Sequence, residues 1–206
     1  MIQAIIFDVG GVLIRTEDYG SRRALEKKLG LAEWESEQIV FNSEMGQKAQ
    51  RGEISDRDLW RWVGERLQLS PDGLRDFKQA FWDGDVLDSR LISFIRQLRS
   101  RYQTAVISNA TDGLRPSLAE TYGVADAFDL ITVSAEEEVM KPRPEIYERT
   151  MARLGRLPQE CVFVDDFAQN IAAARDLGMK TVRFTPQINL PAELERLGVN
   201  IKLVKE

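Results

Sequence analysis

The 206-residue chain contains no histidine and a single cysteine. Without an imidazole there is no Ser-His-Asp or Cys-His catalysis, no His-ligated zinc, and no side chain that ordinarily changes charge near neutral pH. One cysteine excludes a disulfide within the chain and any Cys-rich metal site. Cys161, inside the apolar run CVFV, reads as a buried strand thiol rather than a nucleophile. Long apolar runs are missing as well. None approaches the ~20 residues that cross a bilayer, and no basic segment precedes a hydrophobic one at the start, so no membrane partner and a cytoplasmic location are expected. Nor is there an excess of positive charge. A net charge of −5 gives no pull towards nucleic acid. Chemistry is left to carboxylates, lysines, hydroxyls and a hard metal.

Apolar runs rich in β-branched residues recur at about 2–7, 104–108, 130–133, 161–164 and 180–184, with a sixth candidate at 199–204. They are nearly continuous in apolar residues rather than alternating, as expected of parallel strands covered on both faces. Helical patterns lie between them at 89–101, 112–123, 145–155 and 168–178. The last three end on Gly123, Gly155 and Gly178, the usual left-handed stop. Strand–helix alternation implies an α/β fold, a doubly wound parallel sheet of Rossmann-like type.

Residues 15–87 break that rhythm. They hold no convincing strand pattern and all four tryptophans, Trp34, Trp60, Trp62 and Trp82. Ser55 and Asp58 are spaced as a capping box, followed by Leu59, Trp62, Val63, Arg66 and Leu67 near one helical face. Pro71 suits the first turn of a further helix. The expected organisation is a core of residues 1–14 and 88–206, with a small α-helical insertion at 15–87 directly after the first strand. The tryptophans either fill that bundle or line a pocket.

In an open parallel sheet, ligands bind beyond the carboxyl ends of the strands. The first strand ends in Asp8, the second in Ser108-Asn109 and the fourth in Asp165-Asp166, while the loop after the third carries Lys141 in MKPRPEIY. On one rim, Asp8, Asp165 and Asp166 would gather negative charge that is unfavourable without a cation. An all-oxygen donor set suits Mg²⁺. Lys141, between residues restricted by Pro142 and Pro144, adds a fixed positive charge. Gly10 and Gly11 let the main chain curl close to a bound anion.

These segments, FDVGGVL, VISNA, MKPRPEIY and FVDDFAQNIAAARDLGMKTV, resemble the haloacid dehalogenase superfamily, in its phosphatase branch with a helical cap after the first strand. RGEIS at 51–55 and the double aspartate resemble its glucose-1-phosphate phosphatase-like group. The resemblance implies that Asp8 is the nucleophile and becomes an aspartyl-phosphate. It implies Mg²⁺ on the Asp8 carboxylate, the Gly10 carbonyl and an acid of the Asp165/Asp166 pair, with Asp166 favoured as direct ligand and Asp165 behind it. Ser108 and the Asn109 backbone N–H would hold phosphate oxygens, and Lys141 would neutralise Asp8 and the transferring group. The expected partner is a small phosphorylated metabolite, and the expected state a monomer or weak homodimer.

The chain departs from that family at Gly10, where the pattern places a second aspartate as general acid and base. Three readings follow: a slow phosphatase that prefers good leaving groups, a weakly catalytic phosphometabolite-binding protein, or a carbon–halogen or phosphonate hydrolase. Glu17 and Asp18 are the acids nearest in sequence that could substitute. A phosphonate hydrolase would need a lysine from the insertion, for which Lys27, Lys28, Lys48 and Lys78 are the candidates.

Overall fold

A computed structural model describes residues 1–201. The chain enters through β1 (Ala4–Phe7) and β2 (Ile14–Thr16), then forms α1 (Gly20–Leu29) and a short α2 (Glu35–Glu37) that widens into a π-helical turn over Gln38–Asn42. The helices α3 (Glu44–Gln50), α4 (Asp56–Arg66) and α5 (Pro71–Trp82) complete this part before β3 (Asp85–Leu87). Alternation follows with α6 (Ser89–Leu98), β4 (Gln103–Ser108), α7 (Leu114–Pro116), β5 (Leu130–Val133), α8 (Ser134–Glu137), α9 (Pro144–Leu154), β6 (Cys161–Asp165), α10 (Ala168–Asp176), β7 (Lys180–Arg183) and α11 (Leu190–Arg196).

Five strands form one parallel sheet in the order β5-β4-β1-β6-β7. The all-apolar strand sequences follow from burial on both faces. In β1, Ile5 and Phe7 join a cluster with Leu91 and Ile95 of α6, while Ala4 and Ile6 face Ile146 and Tyr147 of α9. The helix reached from β1 therefore covers one face, and α10, reached from β6, covers the other through Ile171 and Ala174. Adjacent strands whose outgoing chains leave on opposite faces open a crevice beyond their carboxyl ends. Asp8 and Asp165 stand at that crevice.

The helices between residues 20 and 82 have their own core. Phe77 and Phe81 are fully buried and their rings stack at 6.1 Å. Trp60 meets both edge-on, at 6.3 and 6.1 Å. On α4 the buried residues are Leu59, Trp60, Val63 and Gly64, so Trp60 is the core tryptophan, with Trp62 packed at the margin. Ser55 caps α4 by accepting the Asp58 N–H, and its hydroxyl donates to the Asp58 carboxylate at 2.7 Å.

Two short strands were not legible in the sequence. β2 and β3 pair antiparallel, Ile14 with Leu87 and Thr16 with Asp85, and make a ribbon at the two crossings between helices and sheet. The crossings touch closely: a Cβ on Gly84 would lie 1.7 Å from the Asp18 carbonyl oxygen. The helix expected over 112–123 is not regular either. α7 passes into a π-helical turn over Ser117–Thr121, closed by the Tyr122 N–H on the Ser117 carbonyl. Pro116 lacks the N–H that a regular turn would use. Cys161 is buried and its thiol is pushed up to about 11 by burial, as an inert strand residue. Of the sixth candidate strand, residues 202–204 lie outside the described residues, and Val199 and Ile201 are buried without joining a strand. Among the described residues no helix is long and apolar enough to cross a membrane.

Candidate active site

Register places the first two acids. Phe7 pairs with Val164, so the next residues along β1 and β6, Asp8 and Asp165, leave the sheet side by side. Asp8 stays anchored because its N–H donates to the Val164 carbonyl at 2.9 Å. The ammonium of Lys141 lies between the two carboxylates, 2.8 Å from Asp8 Oδ1 and 2.7 Å from Asp165 Oδ2. All three groups are buried, Lys141 to 3 % exposure. A buried lysine is tolerable only with such partners. Asp8 Oδ1 also accepts the Val9 N–H at 2.7 Å.

The double aspartate divides its labour. Asp165 is fully buried, and both its oxygens are occupied: Oδ1 by the Phe167 N–H at 2.7 Å, Oδ2 by Lys141, and both by the Asn170 amide at 3.2 and 3.1 Å. Asp166 is the opposite case, with Oδ1 buried and without a hydrogen-bond partner. Carboxylate oxygens of Asp8, Asp165 and Asp166 lie within 4.8 Å of one another. This crowding is legible in the electrostatics. Burial pushes the Asp8 carboxyl up to about 7, opposed by Lys141 and reinforced by the charge of Asp165. Burial, then Asp165, also raises Asp166. An orphaned buried oxygen beside two more carboxylates is a donor set that suits a hard cation.

Gly11 adopts the left-handed backbone, with φ of 75°, and a Cβ there would strike Asp166 Oδ2 at 2.2 Å. The loop packs directly on the acid. Gly10 is different: a Cβ would meet nothing within 4 Å. The backbone at Gly10 leaves open space where a Cβ would begin. Glu17 and Asp18 do not fill the gap. Both are exposed, Glu17 stands 3.6 Å from Arg15, and Asp18 accepts the Gly20 N–H.

Ser108, at the end of β4, is 5 % exposed and faces the same cavity. Asn109 has a second use that sequence reasoning missed. Its side-chain Nδ2 donates to the Lys141 carbonyl at 2.8 Å and its Oδ1 accepts the Lys141 N–H at 2.7 Å. This two-point clamp fixes the backbone from which the ammonium projects. Asn170 was missed as well. Its position, five residues after Asp165, has no sequence signature apart from the helix that carries it.

Above the rim lies a cavity of about 920 Å³. Its floor includes Gly10, Gly11, Ser108, Asn109 and Asp166, and its far wall comes from the helices. The helical part meets the rim loops directly. Asp56 accepts the Thr111 hydroxyl at 2.8 Å and the Trp60 indole N–H at 3.2 Å, and its own N–H donates to Asp112 at 2.7 Å. Ser134 donates to the Gln50 carbonyl at 2.6 Å and accepts the Ala110 N–H at 2.9 Å. Both tryptophan readings hold, because Trp60 fills the bundle and lines the cavity, with Trp82 beside it. Of the four lysines considered for imine chemistry only Lys78 lines the cavity, and its ammonium sits 4.7 Å above the Trp60 ring.

A model of the haloacid dehalogenase-like hydrolase family matches residues 2–178. Sesquiterpene phosphatase astK of Aspergillus oryzae is 30% identical over 200 residues, 95% of this chain and 96% of that one. The D-ribitol-5-phosphate phosphatase of Bacteroides thetaiotaomicron is 28% identical over 198 residues, 91% of this chain and 93% of the relative. Among solved structures, a family enzyme from B. thetaiotaomicron in complex with magnesium and inorganic phosphate superposes with a TM-score of 0.75 at 24% identity, over 92% of this chain and 96% of the other.

Proposed function

The chain belongs to the haloacid dehalogenase-like hydrolase family, and from that premise we propose that it is a Mg²⁺-dependent phosphomonoester hydrolase that works through an aspartyl-phosphate on Asp8. One observation carries the reading: a buried lysine bridges two carboxylates, while a third carboxylate beside them keeps an oxygen without a partner. Asp8, Asp166 and the Gly10 carbonyl would hold the ion, and Asp165 would hold Lys141. Mg²⁺ bound there would offset the repulsion between carboxylate and phosphate and polarise the phosphoryl oxygens.

The residues then divide the reaction as follows. Lys141 donates to Asp8 Oδ1 and favours its ionised form, leaving Oδ2 without a side-chain partner to attack phosphorus. A bond forms between Oδ2 and phosphorus, and the bond from phosphorus to the ester oxygen breaks. Ser108 and the Asn109 N–H steady the phosphoryl oxygens. The leaving oxygen takes its proton from water, because Gly10 offers none. Water then attacks phosphorus, the bond to Asp8 breaks, and inorganic phosphate leaves. General acid–base help contributes roughly 10²–10⁴-fold, so both steps are slow here and good leaving groups are favoured. Residues 15–87 serve as the cap over the site, and a small phosphorylated metabolite is the substrate.

The experiment is phosphate release from acetyl phosphate and an aryl phosphate by the purified protein. Turnover with Mg²⁺, loss with a chelator, and loss in Asp8→Asn are expected. If wild type and Asp8→Asn give the same background rate, the site binds phosphate esters without hydrolysing them and the enzymatic reading fails.

A further inference from the structure

The two curated relatives act, by their names, on alcohols of opposite character, and the cavity wall decides between such classes for this chain. We propose that the phosphate is carried on a large apolar alcohol rather than on a sugar or polyol, a step that rests on the hydrolase reading above. The volume is the first reason. About 920 Å³ stands at the upper end of the roughly 300–1,000 Å³ of pockets that enclose drug-sized ligands, far beyond what a phosphate needs.

The lining is the second. Val40, Phe41, Leu59, Trp60 and Trp82 face the cavity from the helices, opposite Ile14, Leu114 and Phe184. Trp82 is 40% exposed and Tyr19 38%, although both line a concave space. Apolar surface left wet inside a cleft is favourably covered by an apolar ligand, at roughly 25 cal/mol per Å².

The third reason is what the polar wall groups already do. The Thr16 hydroxyl donates to Asp85 at 2.5 Å. Arg22 donates twice to the Phe81 carbonyl and reaches Glu37 and Asp85. Arg15 bonds the Val12 carbonyl and Asp88, and the Gln50 amide bonds the Phe41 and Gly46 carbonyls. The hydroxyls of Tyr19, Ser117, Thr121, Tyr122 and Thr185 and the ammonium of Lys78 stay outside such bonds, and Arg183 makes only a 3.4 Å bond to the Asp166 carbonyl. They can orient one polar terminus of a ligand. Along Val40, Phe41, Leu59, Trp60 and Trp82 a polyol's hydroxyls would lose water without gaining a partner.

The test measures kcat/KM with Mg²⁺ for 1-decyl phosphate below its micelle concentration, D-ribitol 5-phosphate and acetyl phosphate, in wild type and Trp82→Ala. Trp82 packs edge-on against Phe81, Phe41 and Trp60, so the variant is read as a decyl-to-acetyl ratio, which a general loss of folded protein leaves unchanged. The decyl ester should exceed the ribitol ester by at least about tenfold, and Trp82→Ala should lower the decyl-to-acetyl ratio about fivefold, mainly through KM. A ribitol ester hydrolysed as well or better, or an unchanged ratio in Trp82→Ala, overturns the proposal. Failure of all three esters overturns the hydrolase reading instead. The pocket is then judged by tryptophan quenching in the Asp8→Asn protein. Decyl phosphate binding at least about tenfold tighter than the ribitol ester supports it, and equal binding overturns it.

Discussion

Rim and wall enclose the same cavity and treat polar groups in opposite ways. At the rim, two buried carboxylates, a half-buried third and one buried ammonium are packed together, and one oxygen of Asp166 is left without a partner. On the wall, Thr16, Arg15, Arg22 and Gln50 are tied to neighbouring side chains and carbonyls, and the rings of Trp82 and Tyr19 stay partly open. The difference teaches where each property is stored. Reactivity is stored as unresolved charge, held by strands whose register tolerates no slip. On the proposal above, selectivity is stored as uncovered apolar surface, held by helices that pack on a core of their own.

The strongest way to break this comparison is at Lys141. Lys141→Met removes the cation that bridges Asp8 and Asp165, and turnover of acetyl phosphate should fall by about 10³-fold. A loss below about tenfold would mean that the rim charge does not govern the reaction. On the wall side, Phe77→Ala should cost about 3–5 kcal/mol of stability, seen as a lower urea midpoint. A cost under about 1 kcal/mol would show that the helices do not rest on their aromatic cluster. Gly10→Asp sharpens the rim. A Cβ there meets nothing within 4 Å, and an aryl phosphate should turn over about 10²-fold faster. No gain would remove proton transfer as the deficit. Asn109→Ala is the smallest change, since it loosens the clamp on Lys141 without touching charge. A drop of about tenfold in kcat with KM held is expected, while an equal rise in KM would recast Asn109 as a substrate contact.

The same division explains what could be read from the chain. Asp8, Ser108, Asp165 and Asp166 were legible on one rim because a strand end fixes position within a residue, whereas Lys141, in the loop after α8, was legible only by its residue type between two prolines. That Asp165 binds Lys141 while Asp166 keeps an open oxygen depends on the Asn170 amide and the Phe167 N–H, which only the folded turn supplies. The ribbon of β2 and β3 was hidden because three-residue strands carry too little pattern to register. Trp60 and Trp62 stand two positions apart on α4, and a small error in helical phase exchanges core for margin. The clamp of Asn109 on Lys141 joins residues 32 positions apart, a pairing no local signal announces.

The central claim, that Asp8 accepts the phosphoryl group, is tested most directly by mass spectrometry of protein quenched in acid during turnover of an aryl phosphate with Mg²⁺. With water activation weakened at Gly10, the account predicts one added phosphoryl group on the peptide carrying Asp8, removed by hydroxylamine and diminished in Gly10→Asp. Turnover with that peptide unmodified, or with the phosphoryl group on another residue, would contradict it.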